Sequence, residues 1–329
     1  MLPQKGTFMV GSSLRLTIAT VALCFSACLA FAAYPEKPIR FIVPFPPGGS
    51  TDVIARTLQP KLEKLLNQTV IIENRPGAGG TTGLDAVAKS NPDGYTIGMG
   101  AAGALVINPH LQPMPFDPLK DLVPITRVAE SPFILAGAPT LAANSLRDVI
   151  MQAKGGSSLS IGHGGNGTAM HLTAEMFNIA AGVKIVLVPY RGTAAVVTDL
   201  IGGHVMLGIV DPPPSQGALQ SGQIKGLAVT SAQRFHVFPQ IPTFEEEGLA
   251  GFRATGWFGI VAPVGCSDEI VTKLNAAFVA ALKDDEAVAK VHAQGMEPTP
   301  MSAAAFADYI RAESKKWGDT IAQTKIKQN

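Results

Sequence analysis

The residues best suited to hold an anion stand at Phe45-Pro46-Pro47-Gly48-Gly49-Ser50-Thr51-Asp52. Gly48 and Gly49 let the backbone bend and approach a ligand closely, while Ser50, Thr51 and Asp52 are residue types that cap helix N-termini. Ile54, Leu58, Leu62 and Leu65 follow at helical spacing, so unpaired amides and the positive end of a helix dipole would converge on the turn. A carboxylate fits there without a cationic side chain. Two later turns share this form. Ile161-Gly162-His163-Gly164-Gly165-Asn166-Gly167-Thr168 precedes Ala169, Leu172, Met176 and Ile179; Val188-Pro189-Tyr190-Arg191-Gly192-Thr193 precedes Val196, Val197, Leu200 and Ile201. Any one of these could be no more than a tight strand-to-helix turn, for which Gly and Asn suffice. Three together favour a ligand site, with Tyr190 and Arg191 as polar contacts, although spacing alone does not show that they face one cleft.

Other chemistries find less support. Gly162-x4-Gly167-Thr168 imitates a phosphate loop but lacks the Lys before its Thr. Gly98-Met-Gly100-Ala-Ala-Gly103 has dinucleotide-fingerprint spacing, yet Asn108-Pro109 leaves little room for the helix that should follow. The chain has no Gly-x-Ser-x-Gly elbow and no His-Glu-x-x-His pattern. His163 and His171 are the histidines near a proposed turn. Eight residues apart across glycines, they read as one ligand contact and one structural ring rather than as metal ligands. Asp211 ends a strand-like run and either faces the cleft or caps the turn through Pro212. Cys266 reads as a small, partly buried thiol, and Trp257 and Phe258 as core packing or pocket lining. No catalytic residue, metal or cofactor is expected.

The start of the chain reads as an export signal. Lys5 and Arg15 are basic, Leu16 to Leu29 is apolar, and Ala30-Phe31-Ala32 resembles a cleavage site. Acylation at Cys28 is a weaker alternative, because Phe25 stands where such sites usually carry Leu. The apolar stretch is shorter than the roughly 20 residues a membrane span needs. Removing residues 1–32 from 329 leaves 297, enough for two α/β domains or one large one. Lys5 and Arg15 lie within that signal, so 24 of the 26 Lys and Arg remain against 25 Asp and Glu. No basic field exists to hold nucleic acid. Cys24 and Cys28 also fall inside it, so Cys266 has no partner for an intramolecular disulfide after cleavage.

Positioning the three turns requires strands that lead into helices, and strand-like and helix-like runs alternate almost throughout. Strands are expected near 39–44, 70–73, 95–99, 159–161, 185–188, 205–210, 227–230 and 258–262. Helices are expected near 52–67, 168–180, 194–202, 268–282 and 302–323, the last two capped by Ser267 and Ser302. Pro-rich connections such as Pro109 to Pro118 and Pro212 to Pro214 punctuate the chain. Two domains without a flexible linker imply two crossings, near 131–136 and 252–258, and a ligand crevice at the strand carboxyl ends. Domain 1 would comprise 33–133 and 254–329, and domain 2 would comprise 134–253.

As a set the motifs resemble the Bug-type receptors, the substrate-binding proteins of tripartite tricarboxylate transporters. The resemblance rests on Phe45-Pro-Pro-Gly-Gly-Ser-Thr-Asp52, Glu73-Asn-Arg-Pro-Gly-Ala-Gly-Gly80, Pro92-Asp-Gly-Tyr95, Gly165-Asn-Gly-Thr-Ala-Met-His-Leu172, Pro189-Tyr-Arg-Gly192 and Ile241-Pro-Thr-Phe-x-Glu246. It runs in order from Tyr34 to the C-terminal helix. It implies a type II periplasmic binding-protein (Venus flytrap) fold, two α/β domains that close in the periplasm on a small organic carboxylate and deliver it to integral-membrane permease subunits. It implies a site in which Phe45 to Asp52 grips one carboxylate through amides, Ser50 and bridging water. Gly164 to Thr168 with His171, and Tyr190 to Thr193, would complete the pocket. Arg191 and Met206 depart from the family's usual Lys and Asp, and Gly162-His163-Gly164 replaces its usual Ser-Ser-Gly. The cargo therefore stays open among di- and tricarboxylates, amino acids and aromatic acids; monomer is the state expected for this class. Rival readings are an exported hydrolase or lyase with His163 or His171 as base, and a ligand-dependent partner of a membrane kinase.

Overall fold

A computed structural model describes Pro3, residues 34–324 and Ile326. The expected export signal, apart from Pro3, and Cys28 lie outside the described residues. The fold lies within Lys37–Asn329, a unit distinct from Met1–Glu36. No described helix is long and apolar enough to cross a membrane.

β1 (Ile39–Val43) is buried at every position except Arg40, as a parallel strand covered on both faces should be. It feeds α1 (Ser50–Leu66), and β2 (Val70–Asn74) returns parallel beside it. After α2 (Thr81–Ala88), β3 (Thr96–Ala101) pairs parallel on the other side of β1. A π-helical turn, Gly103–Ile107, runs into the short α3 (Asn108–Leu111) before β4 (Leu122–Pro132).

The chain then leaves this sheet. β5 (Ile134–Gly137), α4 (Leu146–Lys154), β6 (Ser160–His163), α5 (Ala169–Ala181), β7 (Val186–Pro189), α6 (Thr193–Ile201), β8 (Leu207–Val210), α7 (Pro212–Gln220) and β9 (Lys225–Val229) build a second sheet in the order β7-β6-β8-β5-β9. β10 (Thr255–Pro263), α8 (Asp268–Ala281), α9 (Asp285–Ala293), β11 (Glu297–Pro298) and α10 (Ala303–Thr324) return to the first, whose order is β11-β4-β10-β3-β1-β2.

Both connecting segments meet at Thr230, which is fully buried. Its hydroxyl donates to the Ala254 carbonyl (2.6 Å) and accepts from the Phe133 amide (2.9 Å). One side chain thus ties the outgoing strand to the returning one.

In the first sheet Phe41 packs edge-on against Phe278 of α8 (5.8 Å between centroids), and Trp257 meets Phe306 and Tyr309 of α10 in the same way. Phe41, Trp257, Phe278 and Phe306 are almost wholly buried, and each such side chain stabilises the fold by about 1.5–3 kcal/mol. The last helix is thereby fixed to the first sheet.

Each expected strand and helix forms within a few residues of its expected limits. β4, β5, α2, α4, α7 and α9 were not anticipated. Pro124, Arg127 and Glu130 interrupt the apolar pattern of β4, and two register shifts accommodate its pairing with β10. Pro212 to Pro214, read as a break, instead open α7, because a proline at the first helical position lacks only an amide that would be unpaired there anyway. The N-cap of α1 is Gly49, not one of the three hydroxyl or carboxylate residues after it.

Candidate functional site

All three Gly-rich turns lie at carboxyl ends of strands: the first follows β1, the second β6 and the third β7. The first helix start and the third open on one cavity lying between the two sheets. Gly49 caps α1 and Gly192 caps α6 without any side-chain hydrogen bond, so the first amides of both helices lack an intrahelical partner. The middle start differs. Thr168 caps α5 itself, its hydroxyl accepting from the His171 amide (3.2 Å) and donating to the Gly165 carbonyl (2.7 Å).

The cavity leaves room for about 60 Å3 of water-sized occupants in this structure. Of the expected residues, Phe45, Pro46, Pro47, Gly49, Ser50, Gly164, Thr168, Arg191, Gly192, Thr193 and Asp211 line it. A neighbouring chamber shares Phe45, Pro46, Gly79, Gly164 and Arg191 with it and adds Gly165, Asn166, Tyr190 and the turn Pro76 to Gly80. Gly48, Asp52, His163, Gly167 and His171 line neither chamber.

Those five residues shape the turns from behind. The Asp52 carboxylate accepts from the Gly48 amide (2.9 Å), Asn74 (2.9 Å) and Arg56 (3.0 Å). Burial alone would raise its pKa, but these hydrogen bonds, Arg56 foremost, hold it below the usual carboxylate range. Asp52 therefore braces the Phe45 to Gly49 turn and occupies the Gly48 amide. His163 and His171, almost fully buried, stack at 4.7 Å. Nδ1 of His163 accepts from the Gly165 amide and Nδ1 of His171 from the Gly167 amide, each at 3.3 Å. The expected ligand contact through a histidine is replaced by two rings that hold the glycine loop. Burial, then the neighbouring His171, pushes the His163 pKa down to about 4, and burial lowers that of His171. Tyr190 donates to Asp199 (2.8 Å).

Gly167 has φ +74°, and a Cβ there would lie 1.6 Å from Asn108 Oδ1; at Gly79, φ +63°, a Cβ would lie 2.6 Å from the Asn166 carbonyl. The loop after β6 thus seats directly on the backbone after β2 and on α3. Only glycine allows both the conformation and the approach. Loops of the two sheets meet across the cleft in this structure.

Across it, Ser50 donates a short hydrogen bond to Asp211 Oδ2. Asp211 precedes α7 without capping it, so its carboxylate faces the cavity and does not cap the turn. Burial pushes its pKa up, opposed by the Ser50 and Thr193 hydroxyls. Its Oδ1 is buried with no hydrogen-bond partner. Arg191, exposed, is the cationic residue of both linings.

Sequence reasoning missed Phe133, Met170, Gly79 and the run Ala101 to Gly103 as lining. Gly79 was legible in the Pro76 to Gly80 turn; Phe133 and Met170 carried no signal beyond being apolar. Phe258 does line the cavity. Cys266 lies instead beside Asp93 and Gly94, its thiol pKa raised chiefly by burial, which makes it a weak nucleophile. Among the described residues no group of His, Cys, Asp and Glu could hold a metal ion.

The family model of the tripartite tricarboxylate transporter family receptor matches residues 54–326. Protein BugT of Bordetella pertussis is 37% identical over 313 residues, 94% of this chain and 95% of that protein. A solved structure of a periplasmic transporter superposes with a TM-score of 0.86 at 34% identity, covering 90% of this chain and 100% of that one. R. palustris Rpa4515 with adipate gives 0.86 at 34% identity, over 89% and 99%. MatC of Rhodopseudomonas palustris with bound malate gives 0.83 at 30% identity, over 88% and 100%. The resemblance read in the motifs extends over nearly the whole chain and its two-domain α/β fold, and the protein belongs to the tripartite tricarboxylate transporter receptor family.

Proposed function

We propose that this protein captures a small organic carboxylate between two lobes, 33–133 with 254–329 and 134–253, and presents the closed form to integral-membrane permease subunits. The observation that carries this reading is the pair of helix starts without side-chain caps, α1 and α6, that open on one cavity from two sheets, with Arg191 beside them. Preorganised amides of this kind stabilise a carboxylate by roughly 1.5–3 kcal/mol per charge-assisted hydrogen bond. Adipate and malate in the related structures are both carboxylates. Thr230, joining the two crossing segments, is placed to serve as the pivot of closure.

The protein acts without turnover in this reading. His163 and His171 stand behind the loop with Nδ1 engaged by amides, which opposes their use as a base on a cleft ligand. Export through residues 1–32 would place the receptor in the periplasm as a monomer. Titration calorimetry against a panel of organic acids tests the site: at least one should bind, be recovered unchanged, and bind at least tenfold more weakly to Ser50→Ala combined with Gly165→Val. Unchanged affinity in that double variant would refute the assignment.

A further inference from the structure

Asp211 stands at the two helix starts. Its Oδ2 accepts from Ser50, the first residue of α1, and the hydroxyl of Thr193, the first residue of α6, is beside it. The side chain is 2% exposed and lines the cavity, and its Oδ1 is buried without a hydrogen-bond partner. A ligand carboxylate held by these helix starts would therefore lie against a second carboxylate, away from water. Arg191 is the one cation among the described residues of the lining, so it can offset only one of the two charges. The other elements around Asp211 supply no relief. β5, β8, α7 and β10 hold no ionisable side chain. On α1, Asp52 is engaged by Arg56, and on α6, Asp199 accepts from Tyr190. His163 of β6 and His171 of α5 are kept neutral by burial, with Glu175 beside His171. The turn at Gly295, which packs on Pro212, brings His292, paired with Glu297 and 6.3 Å from His236. Burial thus dominates at Asp211 and pushes its pKa up against the two hydroxyls.

Resting on the carboxylate-receptor reading, we infer that Asp211 contacts the ligand as a neutral acid, and that capture of the carboxylate takes up one proton from solvent, carried on Oδ1 and donated to a ligand oxygen. Two carboxyls that share a dry site cannot both stay ionised. Ser50 already fills Oδ2, which leaves Oδ1 as the atom to carry the proton. The O–H then made toward an anionic oxygen is among the stronger hydrogen bonds, and a repulsive pair becomes an attractive one. With the lobes apart, Ser50 leaves and water reaches Asp211, which is then ionised at neutral pH like an ordinary carboxylate. The proton therefore belongs to the complex and not to the free protein. Affinity is complete below the pKa of the complexed acid and falls as pH rises through it. The anion enters together with its neutralising proton.

The test is calorimetry on the whole protein in two buffers of different ionisation enthalpy, with adipate, malate, benzoate and any other acid of the panel that binds. At about pH 7 each bound acid should bring in at least about half a proton, and its affinity should fall at least about fivefold from about pH 6.5 to about pH 8.5. Asp211→Asn, whose amide donates without a proton, should take up less than about 0.2 proton and bind at least about threefold more tightly than the natural chain at about pH 8.5. Should that variant fail to fold, the infrared spectrum of the natural chain decides, by whether a protonated-carboxyl band appears on ligand binding. Binding without proton uptake would overturn the inference and leave the carboxylate reading intact. Uptake undiminished in Asp211→Asn would overturn the role given to Asp211. Absence of binding by these acids and by the wider panel would overturn the carboxylate reading itself and this inference with it.

Discussion

Acid should unfold this protein partly through one side chain, His163. Its ring is 1% exposed, stacks on His171 and accepts the Gly165 amide at Nδ1. A protonated ring would turn an N–H toward that amide and place a charge against its neighbour. The pKa therefore falls from 6.5 in the unfolded chain to about 4 in the folded one. Between these values the unfolded state binds more protons, so stability from this group is complete above pH 6.5 and is lost as pH falls toward 4. Integrated from about pH 7.5 to about pH 4.5, the loss is on the order of 2 kcal/mol. His171, lowered in the same direction, adds to it. The assay is urea denaturation at both pH values for the natural chain and for His163→Gln, whose amide oxygen can still accept from Gly165 but does not titrate. Carboxylates elsewhere contribute equally to both proteins and cancel in the comparison. The variant should lose on the order of 2 kcal/mol less across the interval. Equal losses would refute the view that the buried ring is held neutral by its surroundings.

Thr230→Val should destabilise by about 1–3 kcal/mol, since the Phe133 amide and the Ala254 carbonyl lose their shared hydroxyl; a denaturation midpoint matching the natural chain would contradict the clasp. In Gly167→Ala the methyl group collides with Asn108 in a backbone conformation that disfavours it. A cost above about 2 kcal/mol, with weaker ligand binding by calorimetry, is expected, and full retention of both would show that the loop does not seat on α3 as described. Asp52→Ala removes the acceptor of Gly48, Arg56 and Asn74. It should lower stability by about 1–3 kcal/mol and reduce carboxylate affinity although Asp52 lines neither chamber; unaltered affinity would mean that the turn keeps its shape unaided.

Legibility followed the range of the interactions. The Phe45 to Asp52 turn, the loop after β6 and the turn after β7 could be read because glycines, cap residues and helical spacing are local features. The residues around them could be named, but their orientation could not. His163 and His171 look like ligand contacts in a list of residues, and only their stacking at 4.7 Å and their bonds to Gly165 and Gly167 reveal them as supports. Asp52 was drawn as part of the grip for the same reason, and its three donors show it bracing the turn. β4 escaped notice because its pairing with β10 comes from more than a hundred residues downstream and tolerates Pro124 through a register shift.

What the sequence determined by itself was the alternation of strands and helices, the family, and the three Gly-rich helix starts, since these rest on local patterning and short motifs. The tertiary structure decided which of those groups share a cavity. It brought Ser50 to Asp211 across 161 residues, left Oδ1 of Asp211 without a donor, and lined the interior with Phe133, Met170 and Phe258. Such contacts depend on how two sheets close on each other, and no local preference encodes that.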